Sequence, residues 1–308
     1  MDNVRELWIT FFSGGFGPPF FCAKSLAARP PLCYTNRKML YIVVTPIGNL
    51  GDITYRAVET LKSADLILCE DTRHSAVLFA RYGITAPVRA YEKFSESRQA
   101  DAIADMIESG KNVALVSDAG TPVISDPGSV LVRRLRERGL EYTVVGSGCA
   151  AVSALVLSGF DASSFCFVGF LPDKEGDRNR LMDRFAGLRS TLLFYVPPHD
   201  AVRDAAFLFS RLGARKACLV REISKLHEDV IDFTLPDIPA DAVLKGEMVL
   251  VVEGAPDPAE ALLALDVKEH FARYVAGGMT EKEAMKAVAR DRGVSKSAVY
   301  AELKGSRS

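Results

Sequence analysis

The first half of the chain contains four short apolar runs, and each is followed at once by polar or glycine-rich residues. The runs cover residues 40–44, 66–69, 112–116 and 142–145. Uninterrupted apolar runs of this length are typical of strands buried on both faces of a parallel sheet. Helical spacing lies between them at residues 53–63, where Thr54 is a suitable N-cap, and at residues 99–109. The pattern predicts an N-terminal α/β domain over residues 39–158.

The loops after these predicted strands carry residues that suit ligand binding. They are residues 45–49 (TPIGN), 70–74 (EDTRH), 117–122 (SDAGTP) and 146–149 (GSGC). Open parallel sheets bind ligands at the carboxyl ends of their strands, so we expect the four loops to converge. The third loop offers a carboxylate, small residues and a hydroxyl, which suit a ligand with an amino group or a ribose. No P-loop or dinucleotide glycine motif follows the first strand.

Beyond residue 160 the apolar runs are shorter and are separated by polar loops. They cover residues 165–170, 191–195, 217–220 and 247–252. They predict a second α/β domain over residues 159–254. The proline-bearing stretch 255–258 indicates a linker to a helical tail over residues 259–308.

The tail has the pattern of a helix-turn-helix unit. A capping box of Thr280 and Glu283 starts a predicted helix over residues 280–291, and a second helix is predicted over residues 295–303. The small residue, turn glycine and buried aliphatic residue of such a unit are Ala289, Gly293 and Val299.

Charge distinguishes this tail from the rest of the chain. The 308 residues include 38 Lys and Arg against 39 Asp and Glu, so the formal net charge is −1 and the whole molecule does not attract a polyanion. From residue 273 onward, however, eight basic residues face four acidic ones. We therefore expect nucleic acid to contact the tail, with Lys286, Arg290 and Lys296 as candidates. The alternative is a solvated helical hairpin that packs on the body.

Residues 1–38 show neither helical nor strand periodicity, and we interpret them as a disordered extension. Within them, the apolar stretch 7–23 is interrupted by glycines and prolines and is too short for a membrane span or a signal peptide. The six cysteines are scattered, which is typical of free thiols in a reducing compartment. His199 and His227 have no neighbouring Cys, His or Asp cluster, so no metal is expected. These features favour a cytoplasmic protein without membrane or metal.

Three motifs in the first half of the chain closely match those of a known protein family. They are residues 41–54 (YIVVTPIGNLGDIT), 70–74 (EDTRH) and 116–128 (VSDAGTPVISDPG). They closely resemble the ribosomal RNA small subunit methyltransferase I family, which belongs to the tetrapyrrole-methylase-like methyltransferases that use S-adenosyl-L-methionine (SAM). The resemblance extends from residue 40 to residue 254, and the helical tail agrees with it.

The resemblance implies a two-domain α/β fold of the tetrapyrrole methylase kind, the class III SAM methyltransferases, with SAM in the cleft between the domains. It also implies a homodimeric cytoplasmic enzyme that methylates the 2′-hydroxyl of a cytidine ribose in the decoding region of 16S rRNA, within the small ribosomal subunit. The residues implied to bind SAM are Pro46, Gly48, Asp118, Ala119, Gly120, Thr121, Cys149, Ala150, Tyr195 and Gly246, with Arg221, Glu222 and Glu247 as weaker candidates.

Two stretches depart from the family pattern. Residues 146–149 (GSGC) replace a P-G-P-C/S turn, and residues 194–200 (FYVPPHD) replace F-Y-E-x-x-H-R. The second change removes a glutamate and an arginine, at Val196 and Asp200. We expect altered stiffness at a cofactor loop and weaker or altered substrate specificity.

Methyl transfer to a hydroxyl mainly requires a positioned acceptor and a base that removes its proton. The candidate bases at the strand ends are Asp71, His74, Glu70 and Asp126. For each acid the alternative is a loop cap or an ion-pair partner. Arg73 is a candidate for binding an RNA phosphate through two hydrogen bonds.

Two other functions remain open from the sequence. One is methylation of a porphyrinoid by the same fold, although a basic helix-turn-helix tail has no purpose with a small macrocycle. The other is a non-enzymatic regulator that senses a ligand in the cleft and binds DNA through the tail.

Overall fold

The computed structural model describes residues 38–92, 95–146 and 148–304. Of the predicted extension over residues 1–38, only Lys38 belongs to these ranges, so that prediction lies outside the described residues. Strands and helices alternate through the first half, as the apolar runs predict.

Five parallel strands form the first sheet. They are β1 (Leu40–Val43), β2 (Leu66–Cys69), β3 (Val88–Ala90), β4 (Val113–Leu115) and β5 (Tyr142–Val145). Their order is β3-β2-β4-β1-β5, with Leu40 beside both Val113 and Tyr142. Four strands occupy predicted runs, but β3 has no counterpart in the prediction. All three of its residues are exposed at the sheet edge, so they leave no apolar run in the sequence.

Helices cover both faces of this sheet. They are α1 (Tyr55–Lys62), α2 (Thr72–Tyr82), α3 (Glu96–Glu108) and α4 (Ser129–Glu137). Because side chains alternate along a strand, Tyr41 and Val43 pack with α1 and α2, while Leu40 and Ile42 pack with α3 and α4. Both faces are therefore buried, which explains why β1 is apolar throughout.

The second sheet is mixed. Its strands are β6 (Phe165–Phe170), β7 (Thr191–Val196), β8 (Lys216–Arg221), β9 (Asp229–Thr234) and β10 (Met248–Val252). They lie in the order β6-β7-β10-β8-β9, and only β6 and β7 run parallel. The sequence does not predict β9, because Asp229 and Asp232 interrupt its apolar pattern at the sheet edge.

Three helices accompany this second sheet, α5 (Ala150–Ser158), α6 (Glu175–Asp183) and α7 (Ala201–Leu212). Ala151 and Leu155 of α5 pack against Val220 and Val249 of the second sheet. The helix that precedes the predicted boundary at residues 158 and 159 therefore packs on the strands that follow it. The division itself stays a prediction.

The described part of the tail contains four helices, α8 (Pro258–Ala264), α9 (Val267–Ala276), α10 (Glu281–Asp291) and α11 (Lys296–Lys304). The last two occupy the predicted ranges, and the Thr280 and Glu283 capping box is present. The first two lie within the predicted helical tail, but the sequence does not predict them as separate helices. Val267, Val288 and Val299 form a separate small core, so the tail carries its own apolar interior.

Candidate functional site

A cavity of about 390 Å³ opens at the carboxyl ends of the first sheet and reaches β7 and β10 of the second. We call it the main cavity. Eight of the residues predicted to bind a cofactor line it, namely Asp118, Ala119, Gly120, Thr121, Cys149, Ala150, Tyr195 and Gly246. The loops after β4 and β5 therefore meet here, as their places at the strand ends predict.

Hydrogen bonds join the loops that follow β1, β4 and β5. The backbone groups of Thr45 and Gly120 exchange two hydrogen bonds of 2.9 and 3.1 Å. The Thr45 hydroxyl also donates to the carbonyl of Ser117, at 3.1 Å, and the Thr121 hydroxyl donates to the carbonyl of Gly148, at 2.7 Å. The wall of the main cavity is therefore held by backbone and side-chain hydrogen bonds between these loops.

A buried glutamate supports the loop that carries Asp126. Glu96 Oε1 accepts hydrogen bonds from the backbone N–H groups of Gly128 and Val130, at 2.9 and 2.6 Å, at the start of α4. The same loop holds Ser125 at a positive φ of 69°, a strained conformation that persists only with such support. Sequence reasoning missed Glu96, because its contacts span 32 and 34 residues.

The charged residues that line the main cavity are three acids, Asp118, Asp126 and Glu247, and no described Lys, Arg or His lines it. Burial, against a hydrogen bond from Ser117 and with smaller contributions from the charges of Glu70 and Asp118, raises the pKa of Asp126 to about 6. The cavity is therefore an anionic environment that favours a cationic ligand.

Aromatic rings form the second-sheet side of the main cavity. The ring of Tyr195 lies 4.9 Å from that of Phe167 and 5.3 Å from that of Phe170. Burial, with a smaller contribution from Cys149, raises the pKa of the Tyr195 phenol, which therefore stays protonated.

A second cavity of about 250 Å³ adjoins the first. Ile47, Asp118, Ala119 and Glu247 line both, so the two cavities share a wall. Of the predicted cofactor residues, Pro46 and Gly48 line this second cavity and are absent from the lining of the main one. It also contains His74 and Lys225.

The four candidate bases lie in different surroundings. Asp71 caps α2 by accepting a hydrogen bond from the backbone N–H of Arg73, at 2.8 Å. The hydrogen bonds and charge of Arg73 lower the pKa of Asp71 to about 2. Asp126 lines the main cavity, His74 lines the second, and the charge of Glu70 acts on Asp126.

The predicted RNA contacts are solvent-facing. The Arg73 side chain is 89% exposed and forms a 2.8 Å ion pair with Asp71, outside the lining of both cavities. Lys286 and Arg290 on α10 and Lys296 on α11 are exposed. They remain predicted contacts.

The altered stretch 194–200 borders the main cavity. Val196 is 3% exposed and lies in the core of the second sheet, and it lines the main cavity together with Pro197 and Pro198. Asp200 pairs with Arg203 at 2.9 Å. An apolar residue thus fills the position of the expected glutamate.

Within the part of the chain that the structure describes, no helix is long and apolar enough to cross a membrane. No group of three or more His, Cys, Asp or Glu in the same ranges is arranged to hold a metal ion.

The chain is similar to known proteins in sequence and in fold. The family model for tetrapyrrole (corrin/porphyrin) methylases matches residues 39–239. A ribosomal RNA small subunit methyltransferase I from Halalkalibacterium halodurans is 38% identical over 86% of this chain and 94% of that relative. One of the same name from Haemophilus influenzae is 40% identical over 85% of this chain and 95% of the relative.

Among solved structures, uroporphyrin-III-C-methyltransferase from Thermus thermophilus has a TM-score of 0.53 and 21% identity, covering 70% of this chain and 94% of that one. Diphthine synthase has a TM-score of 0.57 and 14% identity, covering 70% and 89%. At such identities the likeness concerns the fold alone.

The two sheets, the cavity at their junction and the family match define a methyltransferase of the tetrapyrrole methylase class. Within that class, the chain belongs to the ribosomal RNA small subunit methyltransferase I family. The predicted fold class, enzyme class and family are therefore confirmed.

Proposed function

We propose that this chain transfers a methyl group from SAM to the 2′-oxygen of a cytidine ribose in 16S rRNA, with the small ribosomal subunit as its substrate. The names of its relatives support an rRNA substrate. Ribosomes reside in the cytoplasm, so a cytoplasmic location belongs to the same proposal.

The observation that carries the proposal is the charge of the main cavity. SAM supplies a methyl group on a positively charged sulfonium. Asp118, Asp126 and Glu247 provide negative charge there, and small residues such as Ala119 and Gly120 let a ligand approach the backbone. A phosphate-bearing dinucleotide would be repelled by the same lining. The donor set therefore fits SAM.

Within this site we assign roles by chemistry. Asp118 is suited to accept hydrogen bonds from an amino group or from ribose hydroxyls. Asp126 is the candidate base, because a pKa of about 6 lets its carboxylate take up a proton near neutral pH. Asp71 is a poorer candidate, because its low pKa makes its carboxylate a weak base.

The tail is assigned to the RNA backbone. It has its own core, so it can present Lys286, Arg290 and Lys296 without help from the body. Exposed basic residues on adjacent helices supply the sequence-independent part of nucleic-acid affinity. This local positive charge attracts RNA, which the near-neutral molecule as a whole does not.

A homodimer is also part of the proposal. Helix α5 packs one face on the second sheet and leaves Val152 and Val156 46% and 72% exposed. Tyr142 and Val144, on the edge strand β5, are exposed as well. Exposed apolar surface on a helix and an edge strand is typical of subunit interfaces. Light scattering after size exclusion should give twice the chain mass.

The test of the function is a labelling experiment with three acceptors. The purified protein is incubated with labelled SAM and unmodified small subunits, naked 16S rRNA or a porphyrinoid, and labelled products are mapped by mass spectrometry. We expect label on a ribose 2′-oxygen in the subunit. Label on the porphyrinoid alone would refute the rRNA assignment.

A further inference from the structure

Lys225 lies between two carboxylates at the wall shared by the two cavities. Its Nζ is 3.0 Å from Glu222 Oε1 and 2.9 Å from Glu247 Oε2. Glu222 Oε1 also accepts a hydrogen bond from the backbone N–H of Glu247, at 3.0 Å. We call these three residues the Lys225 triad. The two carboxylates thus share one cation, and Glu222 alone also accepts the backbone hydrogen bond.

The backbone around the triad is shaped to hold it. A Cβ atom at Gly48 would lie 2.6 Å from Cγ of Lys225 and 2.8 Å from the carbonyl oxygen of Ile223. A Cβ atom at Gly246 would collide with the Glu222 carboxylate. Glu222 itself has a positive φ of 51°, which is costly for a residue with a side chain. Two glycines, one from each half of the chain, therefore make room for the triad.

Glu247 is the member that faces both cavities, whereas Lys225 lines the second one. Its side chain is 65% exposed, so its carboxylate is open to a ligand. Lys225 is paired with the carboxylates of Glu222 and Glu247, so its charge is already compensated. Such a lining suits hydroxyl and amino donors, and it offers no unpaired cation to a phosphate.

We propose that the second cavity receives the sugar and base of the acceptor nucleotide, and that Glu247 accepts hydrogen bonds from its hydroxyl groups. Lys225 is a positioning residue, which holds the Glu247 carboxylate at the junction of the cavities. The phosphates of the acceptor stay outside. The proposal rests on the proposed function, because it requires a nucleotide as acceptor.

The role of Lys225 follows from the charges it separates. Without its ammonium group, the carboxylates of Glu222 and Glu247 repel each other, and Glu247 turns away from the shared wall. The acceptor then loses orientation relative to the donor, and small misplacements of a reacting group are costly. Donor affinity depends mainly on Asp118 and Asp126, which line the main cavity and remain in place when Glu247 turns away.

The test uses the full chain with substitutions Lys225→Met, Lys225→Arg and Glu247→Gln and the double variant Lys225→Met with Glu247→Gln. Lys216→Met, an exposed lysine of the same half, is the matched control. Steady-state methylation of small subunits gives kcat and KM for RNA, and calorimetry gives the Kd for SAM.

We expect Lys225→Met to lower kcat/KM for RNA about tenfold to a hundredfold, while its SAM Kd changes less than about threefold. Lys225→Arg should recover part of the loss, because it keeps the cation. When Lys225→Met is added to Glu247→Gln, kcat/KM for RNA should fall by less than about a further twofold, because the two residues act as one unit.

Three results would overturn the proposal. If Lys225→Met and Lys216→Met have the same kcat/KM for RNA while the unaltered protein methylates RNA, the triad has no role in the acceptor site. A parallel loss of SAM affinity and activity would make the triad a structural or donor-site element. An unaltered protein that methylates no RNA would refute the proposed function, and this inference with it.

Discussion

The backbone N–H of Asp71 donates a hydrogen bond to Oδ1 of Asp118, at 3.2 Å, and so joins two loops whose residues lie 47 positions apart. Asp118 also lines both cavities. One carboxylate therefore connects the start of α2 to the wall between the cavities. The other carboxylate oxygen of Asp118 takes no part in that hydrogen bond and can accept one from a ligand.

Substituting Asp118 separates these two roles. We expect Asp118→Ala to raise the Kd for SAM about tenfold to a hundredfold, because a charge-assisted hydrogen bond contributes roughly 1.5–3 kcal/mol. Asp118→Asn retains an acceptor for Asp71 but loses the charge, so it should raise the Kd less. Calorimetry measures both, with Asp241→Ala, an exposed aspartate, as control. An unchanged Kd in Asp118→Ala would remove this assignment.

The substitution Asp126→Asn tests whether Asp126 is the catalytic base. Removing a general base lowers kcat by roughly a hundredfold to ten-thousandfold, while SAM binding should change little. Because the pKa of Asp126 is raised to about 6, its carboxyl is protonated and inactive below that pH. Single-turnover methylation in the unaltered enzyme should therefore increase as the pH rises through about 6. A flat profile there would point to another base.

Gly246→Ala should damage the site by crowding. The new methyl group would meet the Glu222 carboxylate, and the residue also has a φ of +77°. Gly213 has the same φ but nothing within 4 Å of an added Cβ, so Gly213→Ala carries the backbone cost alone. We expect Gly246→Ala to be the more destabilising by about 1–3 kcal/mol in urea unfolding. Equal losses of stability in Gly246→Ala and Gly213→Ala would show that the Glu222 side chain moves aside freely.

Deleting residues 260–308 should separate RNA recognition from donor binding. The tail has its own core, and none of its described residues lines either cavity, so the Kd for SAM should be retained while RNA methylation falls. In the full chain, Lys286→Ala, Arg290→Ala and Lys296→Ala together should weaken RNA binding and lower its salt slope by up to about three. Filter binding across salt concentrations measures this. A loss of SAM affinity in the deletion would contradict it.

Acid should loosen the tail through His270. This residue is fully buried, and burial together with Arg292 lowers its pKa below the ordinary 6.5. The unfolded tail binds a proton more readily, so tail stability is complete above about pH 6.5 and falls as the pH decreases. Trypsin cleavage within the tail, divided at each pH by the rate for an unstructured peptide, should accelerate from about pH 7 to pH 5.5. His270→Gln should flatten this dependence, and a dependence that survives would assign it to another group.

The sequence predicts the first sheet well, because burial on both faces leaves a local signal in β1, β2 and β4, and β5 is apolar although it is partly exposed. Only the exposed β3 leaves no apolar run. The capping box at Thr280 is equally local. The residues that support the site leave no such local signal in the sequence. Glu96 reaches Gly128 across 32 residues, and Lys225 reaches Glu247 across 22. Such partners are distant along the chain, and no spacing rule links them. Pro46 and Gly48 illustrate the limit, since a motif places them near the site without telling which cavity they line.

Helix α5 begins one residue after Cys149, which lines the main cavity, and its buried face belongs to the second sheet. The chain therefore changes sheets before this helix rather than after it. A fragment that ends at residue 158 would carry an apolar helix with nothing to cover it, and its complement would lack part of its interior. Two separately expressed fragments that divide at residue 148 should reassemble into an active enzyme more readily than two that divide at residue 158.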